Sequence, residues 1–242
     1  MGNVAAFFDI DGTIYREGLI TEVFKKMVTH ELIPQSSWFN EVEPAYNAWD
    51  RREGDYDEYL TKMVDVFKKY MKGINKEHID LIAQLVIEQK GDRVYAYTRK
   101  EIERHKQEGH KIIAISGSPD ALVKRMADKY GFDDWKGTEY CVDENGIYTG
   151  DIVPMWDSES KEKAMKEFAE KYDLDLSQCY SYGDTNGDLT MFEHTGKPTA
   201  INPTKELLDN ILMDGELRER IRVIVERKDV IYHISPRHVR FE

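Results

Sequence analysis

Four short runs in this 242-residue chain share one pattern: apolar, β-branched or aromatic residues that end in Asp, Asn, Ser or Gly. They are VAAFFDI at 4–10, KIIAIS at 111–116, QCYSYGD at 178–184 and, more weakly, KPTAIN at 197–202. Runs this short, apolar on both faces and closed by turn residues, predict strands buried inside a parallel sheet. Helical periodicity separates them: Ile102, His105 and Lys106 before the second, Ala121, Leu122, Arg125 and Met126 after it, Ala164, Phe168 and Ala169 before the third. Strands alternating with helices predict an α/β fold, a Rossmann-like parallel sheet with helices on both faces.

Residues 15–97 break the alternation. Val23, Met27 and Val28, then Tyr46 and Trp49, then Tyr59, Leu60, Met63 and Phe67, then Ile79, Ile82, Leu85 and Val86 each fall on one face of a helix. The expectation is an α/β core from 1–14 and 98–242 with a helical cap at 15–97. Because the insert follows the first strand, it can cover that strand's carboxyl end, where open α/β sheets bind ligands. Trp38, Phe39, Trp49 and Tyr56 read as bundle core, and Arg51 and Arg52, beside Glu53 and Asp55, as a solvated helix face. Asn145-Gly146 inside 138–153 predicts a β-hairpin. Residues 221–225 and 230–234 suggest further β structure, with helix possible for the first, and the tail at 218–240 reads as an amphipathic edge.

A net charge of −12 repels nucleic-acid phosphates and anionic membrane surfaces, so neither partner is expected. The longest apolar run, Val4 to Phe8, is five residues, against the roughly 20 needed to span a bilayer. Cys141 and Cys179 form no disulfide framework and read as buried free thiols. With Asn3 and Val4 where a signal peptide carries basic residues, a reducing cytoplasm is the expected compartment. None of the seven His, His233 and His238 included, pairs at metal-ligand spacing, and no oligomeric state follows from the sequence.

Four motifs carry chemistry. In DIDGT, Asp9 and Asp11 lie two apart on an extended chain and can address one site, and close carboxylates resist ionising together without a cation. GDTNGD places Asp184 and Asp188 at the end of another buried strand, and oxygen-only ligands point to Mg²⁺. A calcium loop fails there, because Leu189 and Thr195 stand where it requires Gly and Glu. Ser116-Gly117-Ser118 before Pro119 offers a hydroxyl and N–H groups to a phosphate oxygen, or simply caps a helix with Ser118. Lys161, with Lys163 and Lys166, opens a helix and alone says little.

Taken in order, DIDGT, SGS, Lys161 and GDTNGD resemble the four motifs of the haloacid dehalogenase-like phosphohydrolase superfamily. The insert, the SG dipeptide and the hairpin before the Lys are most similar to its subfamily IB, the branch that contains phosphoserine phosphatase. The resemblance covers 4–14 and 98–203. It implies that Asp9 is a nucleophile forming an aspartyl-phosphate. Asp9, the Asp11 backbone carbonyl and Asp184 would hold Mg²⁺, with Asp188 supporting them. Asp11 would act as acid and then base, and Ser116, Gly117 and Lys161 would hold the phosphoryl oxygens. The implied activity is a Mg²⁺-dependent phosphomonoesterase acting on a small phosphorylated metabolite. Asp11 disfavours carbon–halogen cleavage, and it also disfavours a receiver-like module that retains its acyl phosphate; a phosphotransferase or phosphomutase would share it. Two positions depart from the branch. Gly18 stands where it carries Glu, with Glu17 one residue early, and Gly187 where it carries Asn, with Asn186 one residue early. Both turn the expectation away from phosphoserine as substrate.

Overall fold

The computed structural model describes residues 3–54 and 56–237. Asp55 beside the basic pair, and the end of the amphipathic tail with His238, lie outside the described residues.

The strands are β1 (Ala5–Phe8), β2 (Lys111–Pro119), β3 (Asp134–Val142), β4 (Tyr148–Val153), β5 (Tyr180–Gly183), β6 (Lys197–Ile201), β7 (Arg222–Arg227) and β8 (Val230–Ile234). They form one sheet in the order β4-β3-β2-β1-β5-β6-β7-β8. The six central strands are parallel. The two edges are antiparallel, because β4 and β8 follow their neighbours through turns too short for a parallel crossover. The sheet is therefore mixed, and 221–225, open to a helical reading, lies largely within β7.

Helices α1 (Leu19–Thr29), α2 (Gln35–Ser37), α3 (Glu43–Asp50), α4 (Tyr56–Met71) and α5 (Lys76–Lys90) all fall between β1 and α6 (Ala96–Gln107). The remaining helices are α7 (Asp120–Tyr130), α8 (Ser158–Tyr172), α9 (Leu189–His194), α10 (Lys205–Met213) and α11 (Gly215–Arg220). Among the described residues, no helix is long and apolar enough to cross a membrane.

The period of two along the strands sorts the core. Ala6, Phe8, Ile112, Ala114 and Tyr182 face the inserted helices, α6 and α7, while Ala5, Phe7, Ile113, Ile115 and Cys179 face Met165 and Phe168 of α8. Burying Phe7 and Phe8 contributes about 1.5–3 kcal/mol each, which fixes β1 at the centre of the sheet.

Two sets of hydrogen bonds stand out among those that fasten the insert. At its base Tyr95 N donates to Ile14 O (2.9 Å) and Arg16 N to Arg93 O (3.1 Å). The buried Glu226 of β7 accepts from Ala96 N (2.9 Å), Tyr97 N (2.8 Å) and Arg16 Nη2 (3.2 Å). Farther out, the Asn145-Gly146 hairpin pairs with the α4–α5 loop: Gly73 N donates to Tyr148 O (2.9 Å), Tyr148 N to Ile74 O (3.0 Å) and Lys76 N to Gly146 O (2.8 Å).

Three readings of side-chain environment are corrected. Phe39 is 50% exposed, because it lies in a π-helical turn (Trp38–Val42) whose wider winding breaks the 3.6-residue phase. Trp38, Trp49 and Tyr56 do pack in a ring cluster with Tyr46 and Tyr59. Arg51 and Arg52 are exposed but lie in the turn closing α3, with Arg52 at φ +65°. Cys141 is only half-buried near the edge of the sheet, unlike the fully buried Cys179.

Candidate active site

Register brings the motifs together. Phe8 pairs with Ala114 on one side and with Tyr182 on the other, so Asp9 and Asp184 leave the sheet at the carboxyl tips of β1 and β5, beside Ser116 in the irregular last part of β2. Asp9 N donates to Tyr182 O (2.9 Å), and the chain then closes a tight loop in which Ile14 N and Tyr15 N both donate to Ile10 O (2.8 Å). Gly12 sits in that loop at φ +74°, and a side chain there would collide with the Asp184 carboxylate. The absence of a Cβ is what lets the two acidic loops touch.

Lys161, at the start of α8 and 3% exposed, joins them. Its Nζ donates to Asp9 Oδ1 (2.9 Å) and to Asp188 Oδ1 (2.6 Å). The other oxygen of Asp188 accepts the backbone N–H groups of Asp184 (3.0 Å) and Thr185 (3.1 Å), so Asp188 holds its own loop and has both oxygens committed. Thr13 donates its hydroxyl to Asp184 Oδ1 (3.1 Å). One carboxylate oxygen from each of Asp9, Asp184 and Asp188 lies within 4.8 Å of the others.

One ammonium does not balance three carboxylates. Burial pushes Asp9 up to about 7, against the pull of Lys161 and with the repulsion of Asp188 and Asp11 added. Burial also drives Asp184 well above the usual carboxylate range, and the charges of Asp9 and Asp188 push it further. Burial works against the Lys161 ammonium, yet Asp188 and Asp9 outweigh it and hold the group above its ordinary value. An oxygen-only cluster with excess negative charge, buried except for the half-buried Asp184, suits a small hard dication, so Asp9 and Asp184 fit as ligands of Mg²⁺.

The Asp11 carboxyl stands apart from that trio. Its Oδ1 accepts Leu19 N–H (2.8 Å) at the start of α1, and its Oδ2 accepts the Ser118 hydroxyl. Burial raises its pKa, while the Ser118 and Leu19 hydrogen bonds lower it. Ser116 is fully buried where the pairing of β2 turns irregular, and its oxygen accepts Ser118 N–H (3.4 Å). Gly117 and Gly187 both lie under Trp156. A Cβ on Gly117 would come within 2.9 Å of the Trp156 Cβ, and one on Gly187 would strike the Trp156 carbonyl oxygen. The departure at Gly187 is thus enforced by packing. Gly18 is not enforced in this way, since a Cβ there would meet Thr21 Oγ1 at 3.4 Å and the Tyr56 hydroxyl at 3.6 Å, ordinary contacts.

Sequence reasoning passed over Thr13, Thr185, Trp156 and the tertiary use of Ser118. It also assigned no His pair. His105 Nδ1 and His110 Nδ1 share a hydrogen bond of 2.8 Å, with Glu108 beside them. Burial pushes His105 down to about 3, helped by the charges of Arg104, His110 and Lys197, and His110 is lowered mainly by burial. The flanking guanidinium and ammonium oppose a cation there. The signal was the helix end HKQEGH, where Gly109 at φ +71° turns the chain back so that His110 N donates to His105 O (3.0 Å).

Comparison with known proteins agrees with this geometry. The family profile of haloacid dehalogenase-like hydrolases matches residues 6–193. The chain is 26% identical over 213 residues to a Streptomyces azureus protein named for inhibition of morphological differentiation, covering 87% of this chain and 76% of that one. It is 27% identical over 212 residues to a probable phosphatase of Mycobacterium tuberculosis, covering 84% and 70%. Among solved structures, a phosphoserine phosphatase described as a phospho-aspartyl intermediate analogue shares the fold with a TM-score of 0.60 at 19% identity, covering 95% of this chain and 96% of that one.

Proposed function

This chain belongs to the haloacid dehalogenase-like hydrolase family, and from that premise we propose that it is a Mg²⁺-dependent phosphomonoesterase acting on a small phosphorylated metabolite through an aspartyl-phosphate. The observation that carries the reading is the set of buried Asp9, Lys161 and Asp188 with the half-buried Asp184, gathered where β1, β5 and the start of α8 meet, short of positive charge and next to the Ser116 loop. The name of the Mycobacterium tuberculosis relative supports it.

Asp9 and Asp184, with the Asp11 backbone carbonyl, would hold the metal, and Asp188 would support them through Lys161 and the loop N–H groups. Bound there, Mg²⁺ screens the meeting of two anions. The remaining chemistry belongs to the chain. The Asp9 carboxylate oxygen forms a bond to phosphorus in line as the ester P–O bond breaks. The electron pair of that bond stays on the leaving oxygen, which takes a proton from the Asp11 carboxyl. A water then gives a proton to Asp11 as its oxygen bonds phosphorus, releasing phosphate and free Asp9. Ser116, the Gly117 N–H and Lys161 hold the phosphoryl oxygens through both steps.

In this reading 15–97 caps a core made of 1–14 and 98–242, and the chain works in a reducing cytoplasm, which its two free cysteines support. A panel of phosphorylated metabolites assayed for phosphate release with and without Mg²⁺ tests the proposal. Asp9→Asn is expected to lower turnover by at least about 10³-fold. Undiminished turnover in that variant rejects the mechanism.

A further inference from the structure

We propose that Ser118 is a positioning residue for the Asp11 carboxyl, fixing it from the core side while the first residue of α1 fixes it from the insert. The inference rests on the reading of Asp11 as the acid and base of ester hydrolysis.

Ser118 followed by Pro119 reads locally as a helix cap, but its hydroxyl does not cap α7. That helix begins at Asp120 with Pro119 at the cap position and no side-chain cap, and Asp120 Oδ1 itself accepts Ala121 N–H (2.7 Å). The hydroxyl instead meets Asp11 Oδ2, 107 residues away in sequence. Ser118 is 2% exposed, so water does not compete for that contact.

The loop that carries it is braced. The Thr138 hydroxyl donates to Gly117 O (2.8 Å) and accepts Met155 N–H (3.2 Å), while Pro119 pairs with Thr138 of β3 after the register shift that follows Ile115. Ser118 is therefore a fixed post, whereas the other partner of Asp11, Leu19 N–H (2.8 Å), sits on a helix of the insert.

The two partners differ in chemistry. A backbone N–H can only donate, but a hydroxyl donates to a carboxylate and accepts from a carboxylic acid. Asp11 must pass between those forms. The proton that passes to the leaving oxygen lies on the substrate side of the carboxyl, so as the P–O bond breaks the Ser118 hydroxyl, donating to Oδ2, keeps the carboxyl in place and steadies the charge left on it. Without that post the acid is tethered at one oxygen, and loss of about 1 Å in placement costs on the order of 10²-fold in rate.

The test compares Ser118→Ala, Ser118→Thr and Asp11→Asn on two Mg²⁺-supported substrates. Glycerol 1-phosphate has an alkoxide leaving group that needs a proton, and 4-nitrophenyl phosphate has one that departs without it. kcat/KM reports the steps up to phosphorylation of Asp9, where only the acid role of Asp11 enters. The expected result is that Ser118→Ala lowers kcat/KM for the alkyl ester by about 10–100-fold and for the aryl ester by less than about threefold. Ser118→Thr should restore most of the loss, with binding of inorganic phosphate to the metal-free protein unchanged in both. Equal losses on the two esters, no loss at all, or no recovery in Ser118→Thr overturns the assignment. If Asp11→Asn leaves the alkyl-to-aryl ratio at the wild-type value, the acid role of Asp11 itself fails, and the role of Ser118 fails with it.

Discussion

Two buried polar networks hang from the same strand, and they differ in how their charges close. On the tip of β5, Asp184 and Asp188 share one ammonium with Asp9, and Asp9 and Asp184 are left shifted upward. On the face of β5 toward α6, the Tyr182 hydroxyl donates to Glu101 Oε2 (2.7 Å) and bonds His105 Nε2 (2.9 Å), while Arg104 Nη2 donates to Glu101 Oε2 (2.7 Å) and Nη1 to Glu108 Oε2 (2.8 Å). The guanidinium there is met by two carboxylates, and burial pushes both histidines toward the neutral form. A network complete in itself holds helix to sheet. One left short of positive charge is built to receive something, and that contrast locates the chemistry better than the number of ionisable residues does.

The sharpest way to break the comparison is Lys161→Ala. It strands two buried carboxylates and should cost about 3–5 kcal/mol in urea unfolding at pH 8. The cost should shrink toward pH 5 as Asp9 takes up a proton. A loss below about 1 kcal/mol at pH 8 would mean that the carboxylates are balanced by other groups.

Next is the opposite pH dependence of the two networks. Asp9 titrates at about 7 folded and 3.8 unfolded, so the folded state holds more protons between those values and this group's contribution to stability falls as pH rises through them. His105 titrates at about 3 folded and 6.5 unfolded, so its contribution is complete above 6.5 and is lost as pH falls toward 3. Asp9→Asn should flatten the first slope and His105→Gln the second. Mg²⁺ at 100 times its Kd should raise stability by about 2.7 kcal/mol at pH 8 and by clearly less at pH 5. Equal Tm gains at both pH values would detach cation binding from these acids.

The smallest expected effect is His110→Gln, which removes one half-buried hydrogen bond. It should cost about 0.5–1.5 kcal/mol and leave turnover within about twofold. A large loss of activity would make the α6 network part of the catalytic apparatus.

What could be read from residues follows the same division. Strands β1, β2, β5 and β6 were legible because burial on both faces writes continuous apolar runs, and DIDGT and GDTNGD were legible because acids at strand tips have few structural uses. Their adjacency depended on β1 and β5 pairing, which no local signal encodes. Ser118 was misjudged because the N-cap preference is a local rule, and a contact across 107 residues overrode it. Phe39 was misjudged because periodicity assumes 3.6 residues per turn and the chain winds wider there. The His pair was invisible to a search for helical or strand spacing, since a left-handed glycine past the helix end creates it.

The position of Glu226 bears on how this protein comes into being. The carboxylate that ties Arg16 to the start of α6 belongs to β7, so a chain emerging from the ribosome carries Asp9, the inserted helices and the Ser116 loop long before it carries that tie. Asp184 and Asp188 also emerge late. A nascent polypeptide therefore presents Asp9 before its acidic partners, and the acidic cluster closes only once Asp188 has followed.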